Sequence, residues 1–422
     1  MQFSHRTLKN GLNVFSLPIP DSESVVFNVF VKAGTRNENQ KSMGIAHFLE
    51  HLFYKGSKKY PRPTDIFTAI DAIGGDFNAL TSKESTEFYI RAAKKHADFI
   101  FEITTDMLLN PLLAKEEIEK EKGVVIEEIN MYQDNPGAQV EDDLEKIMWP
   151  QGVLGRSVLG TKETVRGFTR ARILDFKKRH YVPANIILGF SGVFDEKKLM
   201  RKIADSWGRL PSARAPLSEK NLEVQKAPEL EITFKDTRQA HFAIGFKGFD
   251  YTDPDSQAAS LIGSILGGGS SSRLFVEIRE KRGLAYFVSA YNNRYMDAGN
   301  FTIHAGLKIE NSLQALGAIM DEIRRLKSEK IPQEELSRAK EFIKGRTALF
   351  LEDSHDKLEW LMERFAFYGE TALPKEVYAR YDTITAEDIL RVSNRLFKND
   401  RLNLAAIGPF KDKAAFKRTL VI

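Results

Sequence analysis

The chain has 422 residues, which is enough for two domains of typical size. Apolar residues make up 42% and charged residues 28%, as in an ordinary globular protein rather than a disordered or fibrous one. The net charge of only +4 gives no reason to expect nucleic acid or a membrane surface as partner. There is no Cys, which excludes disulfides and restricts any metal site to His and carboxylate ligands.

The first residues do not have the composition of a targeting segment. Residues 1–18 alternate polar and apolar side chains around an Asn10-Gly11 turn signal, and they lack the charged and apolar regions of a signal peptide. No apolar run along the chain is long enough to span a bilayer. We therefore expect a cytoplasmic protein.

The first half of the chain opens with strands and continues with long helices. Alternation and turn residues predict strands at 3–8, 12–17, 25–33, 76–82, 86–92 and 185–194. Helical periodicity predicts helices at 42–54, 63–73, 96–108, 115–132, 139–148 and 170–180. Because the strands cluster before the helices, we expect an α+β fold with a mixed or antiparallel sheet covered by helices.

The second half repeats the first at an offset of 216 residues, without a gap in the matched region. The identical pairs are Ile173/Ile389, Leu174/Leu390, Arg179/Arg395, Leu188/Leu404, Gly192/Gly408, Phe194/Phe410 and Lys197/Lys413. This similarity predicts two homologous domains produced by internal duplication. Loss of periodicity and several Pro residues predict a linker at 211–228, between domains at 1–210 and 229–422.

The strongest chemical signal is the sequence His47-Phe-Leu-Glu-His51 within a predicted helix. Residues four apart lie on one helix face, so His47 and His51 can bind the same ion. Glu50 lies at the edge of that face, where it can contact a bound water without being a ligand. This order of residues is the inverzincin pattern of zinc peptidases. Because the segment is otherwise apolar, burying these side chains without partners would be costly.

A zinc site of this kind needs a third protein ligand and leaves its fourth position for water. The candidates lie in the predicted helix at 115–132, whose Ile and Val residues define a buried face. Glu121 and Glu128 project along one edge of that face, whereas Glu127 points toward solvent. Helix geometry therefore favours Glu128 over Glu127 as the ligand. The alternative is that Glu121 and Glu128 are ordinary solvated charges of a helix surface.

With these motifs the sequence resembles the insulinase and pitrilysin family of zinc peptidases, in its half-length branch with mitochondrial processing peptidase. The resemblance extends over nearly the whole chain. It implies one Zn²⁺ per chain, bound by His47, His51 and Glu128, with Glu50 as the catalytic base. In the family the distal ligand ends a Glu-x6-Glu pair. The first member of the pair, here Glu121, has a supporting, proton-handling role.

Two further segments match the family. The segment at 77–82 resembles its edge strand, whose backbone would pair with a substrate peptide at Asn78 and Ala79. Arg279 and Tyr286 match an Arg-x6-Tyr pair that contacts the substrate carbonyl. A guanidinium and a phenol are suitable donors to an oxyanion, although such residues also commonly serve packing alone.

The resemblance implies a zinc metalloendopeptidase that acts on peptides or unfolded polypeptides inside a dimeric clamshell. We expect a homodimer, because one chain carries both the zinc motif and the Arg-x6-Tyr pair. In full-length relatives that pair lies in the half opposite the zinc, so here it would serve the partner's zinc. Two alternatives remain open, namely a catalytically silent structural subunit and a subunit active only in a heterodimer.

The six remaining His residues show no ligand spacing. They are His5, His96, His180, His241, His304 and His355. An isolated His most often fills a polar-edged position in a folded protein, so we expect structural roles for all six.

Overall fold

The computed structural model describes residues 1–221 and 225–422, so that residues 222–224 of the predicted linker lie outside the described residues. The strands are β1 Ser4–Thr7, β2 Asn13–Pro18, β3 Ser24–Val31, β4 Asp76–Thr81, β5 Thr86–Ala93, β6 Ile186–Gly192, β7 Glu229–Phe234, β8 Ala240–Lys247, β9 Ala285–Arg294, β10 Gly299–Leu307 and β11 Leu402–Gly408. The first eight helices are α1 Ile45–Phe53, α2 Pro63–Asp71, α3 Ala97–Leu109, α4 Lys115–Asp134, α5 Pro136–Met148, α6 Lys162–Arg166, α7 Arg170–His180 and α8 Glu196–Asp205. The others are α9 Ser256–Gly267, α10 Ser312–Ser328, α11 Gln333–Phe350, α12 Ser354–Glu363, α13 Pro374–Asp382, α14 Ala386–Leu396 and α15 Lys413–Thr419. Among these helices, none has both the length and the apolar character needed to cross a membrane.

The strands form two mixed sheets. The first has the order β1-β2-β6-β3-β5-β4 and the second the order β7-β11-β8-β10-β9. In the first sheet β2 and β6 run parallel, and the other neighbouring strands are antiparallel. In the second sheet β7 and β11 are the parallel pair. The predicted α+β fold with mixed, helix-covered sheets is confirmed.

The internal duplication is visible in the limits of the elements. The strands β2, β3 and β6 and the helix α7 recur 216 residues later as β7, β8, β11 and α14, with unchanged lengths. The offset found from a few identities near residues 173–197 therefore extends to strands in which the sequence match is weak. Two homologous α+β domains, as predicted, account for this repetition.

Each half of the chain supplies one helical segment to the compact unit formed mainly by the other half. The first unit consists of Met1–Asn130, Arg156–Glu219 and Phe350–Thr371, and the second of Met131–Gly155, Lys220–Leu349 and Ala372–Ile422. Thus α12 belongs to the first unit and α5 to the second. The predicted limits at 1–210 and 229–422 do not contain this exchange, because periodicity identifies a helix but not the sheet that it covers.

The first sheet has helices on both of its faces. One face carries the main core of the unit, in which Phe27 and Phe88 of the sheet and Phe48 of α1 are fully or almost fully buried. The other face packs against α12, where Phe30 meets Leu358 in a smaller apolar cluster. β4 lies at one edge of the sheet and pairs with β5. Within the described part of the first unit, the other side of β4 pairs with no strand.

Candidate active site

The helix α1 carries the two His residues of the motif and is anchored at its first turn. Gly44 precedes it with a φ of 85°, and a Cβ there would lie 2.5 Å from the carbonyl oxygen of Leu159. Glycine is therefore required at this position. The Glu38 carboxylate accepts hydrogen bonds from the backbone N–H groups of Gly44 and Ala46, at 2.7 and 2.8 Å. These bonds satisfy donors that a helix start leaves unpaired, and they fix where α1 begins.

Three ligand-type atoms converge between α1 and α4. The Nε2 atoms of His47 and His51 are 3.2 Å apart, and each lies 3.6 Å from Oε2 of Glu128. Around a tetrahedral ion with bonds of about 2.0–2.1 Å, neighbouring ligand atoms are about 3.3 Å apart. The buried Oε2 of Glu128 has no hydrogen-bond partner among the described residues. The three atoms therefore fit Zn²⁺ with one coordination position left open.

The surroundings keep His47 in the form that a metal ligand needs. Burial, followed by the neighbouring His51, lowers the pKa of His47 to about 3. The imidazole is therefore neutral at physiological pH, and a neutral ring retains the nitrogen lone pair that binds a metal ion.

His51 is oriented by a carboxylate from α4. Its Nδ1 lies 2.8 Å from Oε1 of Glu121, whose Oε2 is 2.8 Å from the ammonium of Lys55. Burial acts to lower the pKa of His51, but the hydrogen bond to Glu121 and the surrounding carboxylates raise it overall. A carboxylate at one ring nitrogen directs the other nitrogen toward a metal ion. The proton-handling role implied for Glu121 stays a prediction.

Glu50 lies beside the converging atoms and is not one of them. Its Oε2 accepts a hydrogen bond of 2.6 Å from the hydroxyl of Thr81, the last residue of β4. Burial raises the pKa of Glu50, and the Thr81 hydrogen bond opposes this effect. A carboxylate with a raised pKa and a fixed orientation is suited to taking up and returning a proton near neutral pH.

Asn78 and Ala79 lie in β4, the edge strand whose last residue holds Glu50. Ala79 packs toward the core, whereas the Asn78 side chain is exposed. The hydroxyl of Tyr54, directly after α1, donates to the backbone oxygen of Asn78 at 3.4 Å. An edge strand can accept a further strand through its backbone. Substrate pairing at these two residues stays a prediction.

Arg279 and Tyr286 belong to the second unit. Arg279 lies in the helical turn Phe275–Glu280, and its guanidinium is 4.7 Å from the centre of the Phe275 ring. Tyr286 is the second residue of β9, and half of its surface is exposed. The Tyr286 side chain is therefore not committed to a core. A role for this pair at an oxyanion stays a prediction.

Several residues that build the site were not among the predicted site residues, namely Glu38, Lys55 and Thr81. Lys55 follows His51 by four residues, so helical spacing could have placed it near the same carboxylate. Glu38 and Thr81 reach α1 from a loop and from a strand. Single-sequence periodicity carries no signal for such contacts.

Comparison with known proteins agrees with this geometry. Residues 14–162 match the family model described as insulinase (peptidase family M16), and residues 167–343 match the one described as peptidase M16 inactive domain. An uncharacterized zinc protease of Streptomyces coelicolor is 33% identical over 97% of this chain and 90% of its own length. The uncharacterized zinc protease YmxG of Bacillus subtilis is 32% identical over 96% of this chain and 97% of its own. The chain belongs to peptidase family M16, so the predicted family is confirmed.

Solved structures show the same fold. A protease from Helicobacter pylori is 24% identical, with a TM-score of 0.90 over 97% of this chain and 99% of its own. A peptidase M16 inactive domain from Pseudomonas fluorescens is 19% identical, with a TM-score of 0.88 over the same shares. In this chain His47, His51 and Glu128 all lie within the 14–162 match and outside the part that matches the inactive-domain model.

Replacing Glu128 by Gln is expected to weaken zinc binding by more than the roughly 10–100-fold that changes beside a ligand cause. The matched control is Glu127→Gln, because the Glu127 side chain is exposed and exposed substitutions usually have small effects. Competition with a chelator measures both affinities. Equal effects, or a larger effect of Glu127→Gln, would show that the assigned ligand is wrong.

Glu121→Gln keeps the shape of the side chain but removes the charge that orients His51. It is expected to lower zinc affinity by roughly 10–100-fold. Glu119→Gln on the same helix serves as control, since Glu119 is exposed and pairs with Lys122. The same chelator titration applies. A Glu121→Gln chain with the affinity of the control would refute the positioning role.

Proposed function

We propose that this chain is a zinc metalloendopeptidase that hydrolyses peptides or unfolded polypeptides. The observation that carries the proposal is the convergence of His47, His51 and Glu128 on one point, with Glu50 beside them but outside the ligand set. Zinc bound there would lower the pKa of a water to about 7 and polarise a carbonyl.

Glu50 is the group that moves the proton. Its carboxylate would accept a proton from the attacking water and return it to the leaving amine. Thr81 holds one carboxylate oxygen in place, which limits the orientations of the side chain. Because Thr81 ends β4, the base and the edge strand are held at a fixed distance from each other.

The substrate would lie along β4 as an added strand, next to Asn78 and Ala79. Pairing through the backbone gives affinity with little dependence on side-chain sequence. This mode suits extended segments within longer polypeptides, which supports an endopeptidase. Arg279 and Tyr286 would donate hydrogen bonds to the oxyanion that forms at the scissile carbonyl.

We further propose a homodimer that encloses the substrate in a chamber. The chain carries the zinc ligands, the base and the Arg279 and Tyr286 pair together, so two identical chains could form complete sites. Its relatives have similar lengths, since the matches span 90% and 97% of the two described above. The silent-subunit alternative has less support because the ligands and the base are all present.

Glu50→Gln is expected to lower kcat by about 10²–10⁴-fold or more while zinc content stays at the wild-type level, because Glu50 is a base and not a ligand. A quenched fluorescent peptide and elemental analysis of the purified chain measure the two properties. His51→Ala is the comparison that should lose both. A Glu50→Gln chain without zinc would overturn the division of roles, and an inactive wild-type chain with full zinc would favour the silent-subunit or the heterodimer alternative.

A mixed dimer tests whether the site is completed by the partner chain. Glu50→Gln and Tyr286→Phe homodimers should each be impaired, the latter by about 10²–10³-fold if Tyr286 is an oxyanion donor. Mixing them under subunit exchange would rebuild one complete site per heterodimer and restore a substantial share of wild-type activity. Two differently tagged Glu50→Gln chains, exchanged in the same way, provide the control for exchange alone. Heterodimers no more active than the better parent would rule out completion by the partner.

A further inference from the structure

Lys55 lies just beyond α1 and is held there by its own backbone. Its N–H donates to the carbonyl oxygen of Leu52 at 3.1 Å, which continues the helical turn past Phe53. Gly56 then ends the turn with a φ of 117°, and a Cβ there would lie 2.8 Å from the carbonyl oxygen of Pro61. This conformation and this close approach both require glycine. The point from which the Lys55 side chain extends is therefore fixed.

The ammonium of Lys55 meets a carboxylate that is almost completely buried. Its Nζ lies 2.8 Å from Oε2 of Glu121, and the side chain of Glu121 exposes only 3% of its surface. Little water can therefore reach Oε2 in place of the ammonium. Ion pairs at an exposed surface contribute little, whereas removing one partner of a buried pair leaves the other charge uncompensated. The contact between Lys55 and Glu121 is of the second kind.

The two oxygens of Glu121 have different partners. Oε1 lies 2.8 Å from Nδ1 of His51, and Oε2 is the atom that faces Lys55. The terminal torsion of a Glu side chain has broad energy wells, so a single hydrogen bond leaves the carboxylate free to turn. Partners on both oxygens fix the plane of the group. Lys55 thereby keeps Oε1 directed at the imidazole, and this contact directs the opposite ring nitrogen toward the metal position.

The same ion pair joins the two segments that carry the metal ligands. Lys55 directly follows α1, which carries His47 and His51, and Glu121 lies on α4 together with Glu128. The pair therefore holds the end of α1 against α4, beside the place where His51 and Glu128 approach each other to 3.6 Å. It acts both on the ring of one ligand and on the spacing between two ligands.

We propose that Lys55 is a positioning residue of the zinc site, which holds Glu121 in the orientation that aligns His51 with the metal. The inference rests on the proposed function, because it requires zinc between α1 and α4. Since Glu121 is the group that lies between Lys55 and His51, the ammonium should affect zinc binding through Glu121 alone. Its test measures zinc affinity and does not depend on hydrolysis.

Lys55→Met keeps most of the length of the side chain and removes its charge. It is expected to lower zinc affinity by about 10-fold, the lower end of the roughly 10–100-fold range for outer partners of a ligand, because Lys55 acts one contact further out than Glu121. Lys55→Arg retains a cationic donor and should keep most of the affinity. Lys58→Met is the matched control, because the Lys58 side chain is exposed. Competition between the full chain and a chelator for Zn²⁺ measures each affinity.

A double-mutant cycle separates positioning from a general loss of stability. In the Glu121→Gln background, Lys55→Met should cause no further loss of zinc affinity, because the carboxylate through which Lys55 acts is already absent. Lys55→Gln keeps an uncharged donor for Oε2, so its affinity should lie between those of Lys55→Arg and Lys55→Met. It also provides a folded variant for the cycle if Lys55→Met is unstable. The melting temperature of each metal-free chain reports folding independently of zinc.

The outcomes separate this inference from the proposed function. If the wild type binds zinc and Lys55→Met binds it as tightly as Lys58→Met, the positioning role is refuted and the proposed function stands. Equal losses from Lys55→Met with and without Glu121→Gln would show that Lys55 does not act through Glu121, which also refutes the role. A wild type that binds no zinc would overturn both.

Discussion

The meeting of two imidazole nitrogens and one carboxylate oxygen between α1 and α4 is the interaction on which the site depends. Helical spacing brings His47 and His51 to one face, and the packing of α4 brings Glu128 to within 3.6 Å of both. The position is buried enough to keep His47 neutral. Such a cluster of polar groups in an apolar setting would be costly to bury unless an ion completes it. The geometry is therefore better explained by metal binding than by packing.

The remaining parts of the site are arranged around α1. Glu38 fixes the start of the helix through two backbone N–H groups, and Glu121 fixes the ring of His51 near its end. The hydroxyl of Thr81, the last residue of the edge strand, donates a hydrogen bond to Glu50 on α1. A shift of α1 would thus move His47, His51 and Glu50 together relative to Glu128 on α4. This coupling predicts that positions outside the ligand set affect the proposed chemistry.

The local elements of this structure can be predicted from the sequence, whereas the contacts between distant segments cannot. Periodicity places α1 and α4 and separates the exposed Glu127 from Glu128, and the 216-residue repeat anticipates the second sheet. The exchange of α5 and α12 between units could not be predicted, because the helical periodicity of a segment is the same whichever sheet the helix covers. His355 shows the same limit. Its contact with Glu87 arises only when α12 packs on the first sheet.

Diffraction from crystals of the zinc-loaded chain, with anomalous data collected on both sides of the zinc absorption edge, tests the central claim most directly. The account predicts a zinc peak bonded to Nε2 of His47, Nε2 of His51 and a carboxylate oxygen of Glu128 at about 2.0–2.2 Å. Glu50 should lie outside that shell, within reach of the open position. A peak bonded to Glu50 instead of Glu128, or no zinc between α1 and α4, would contradict it.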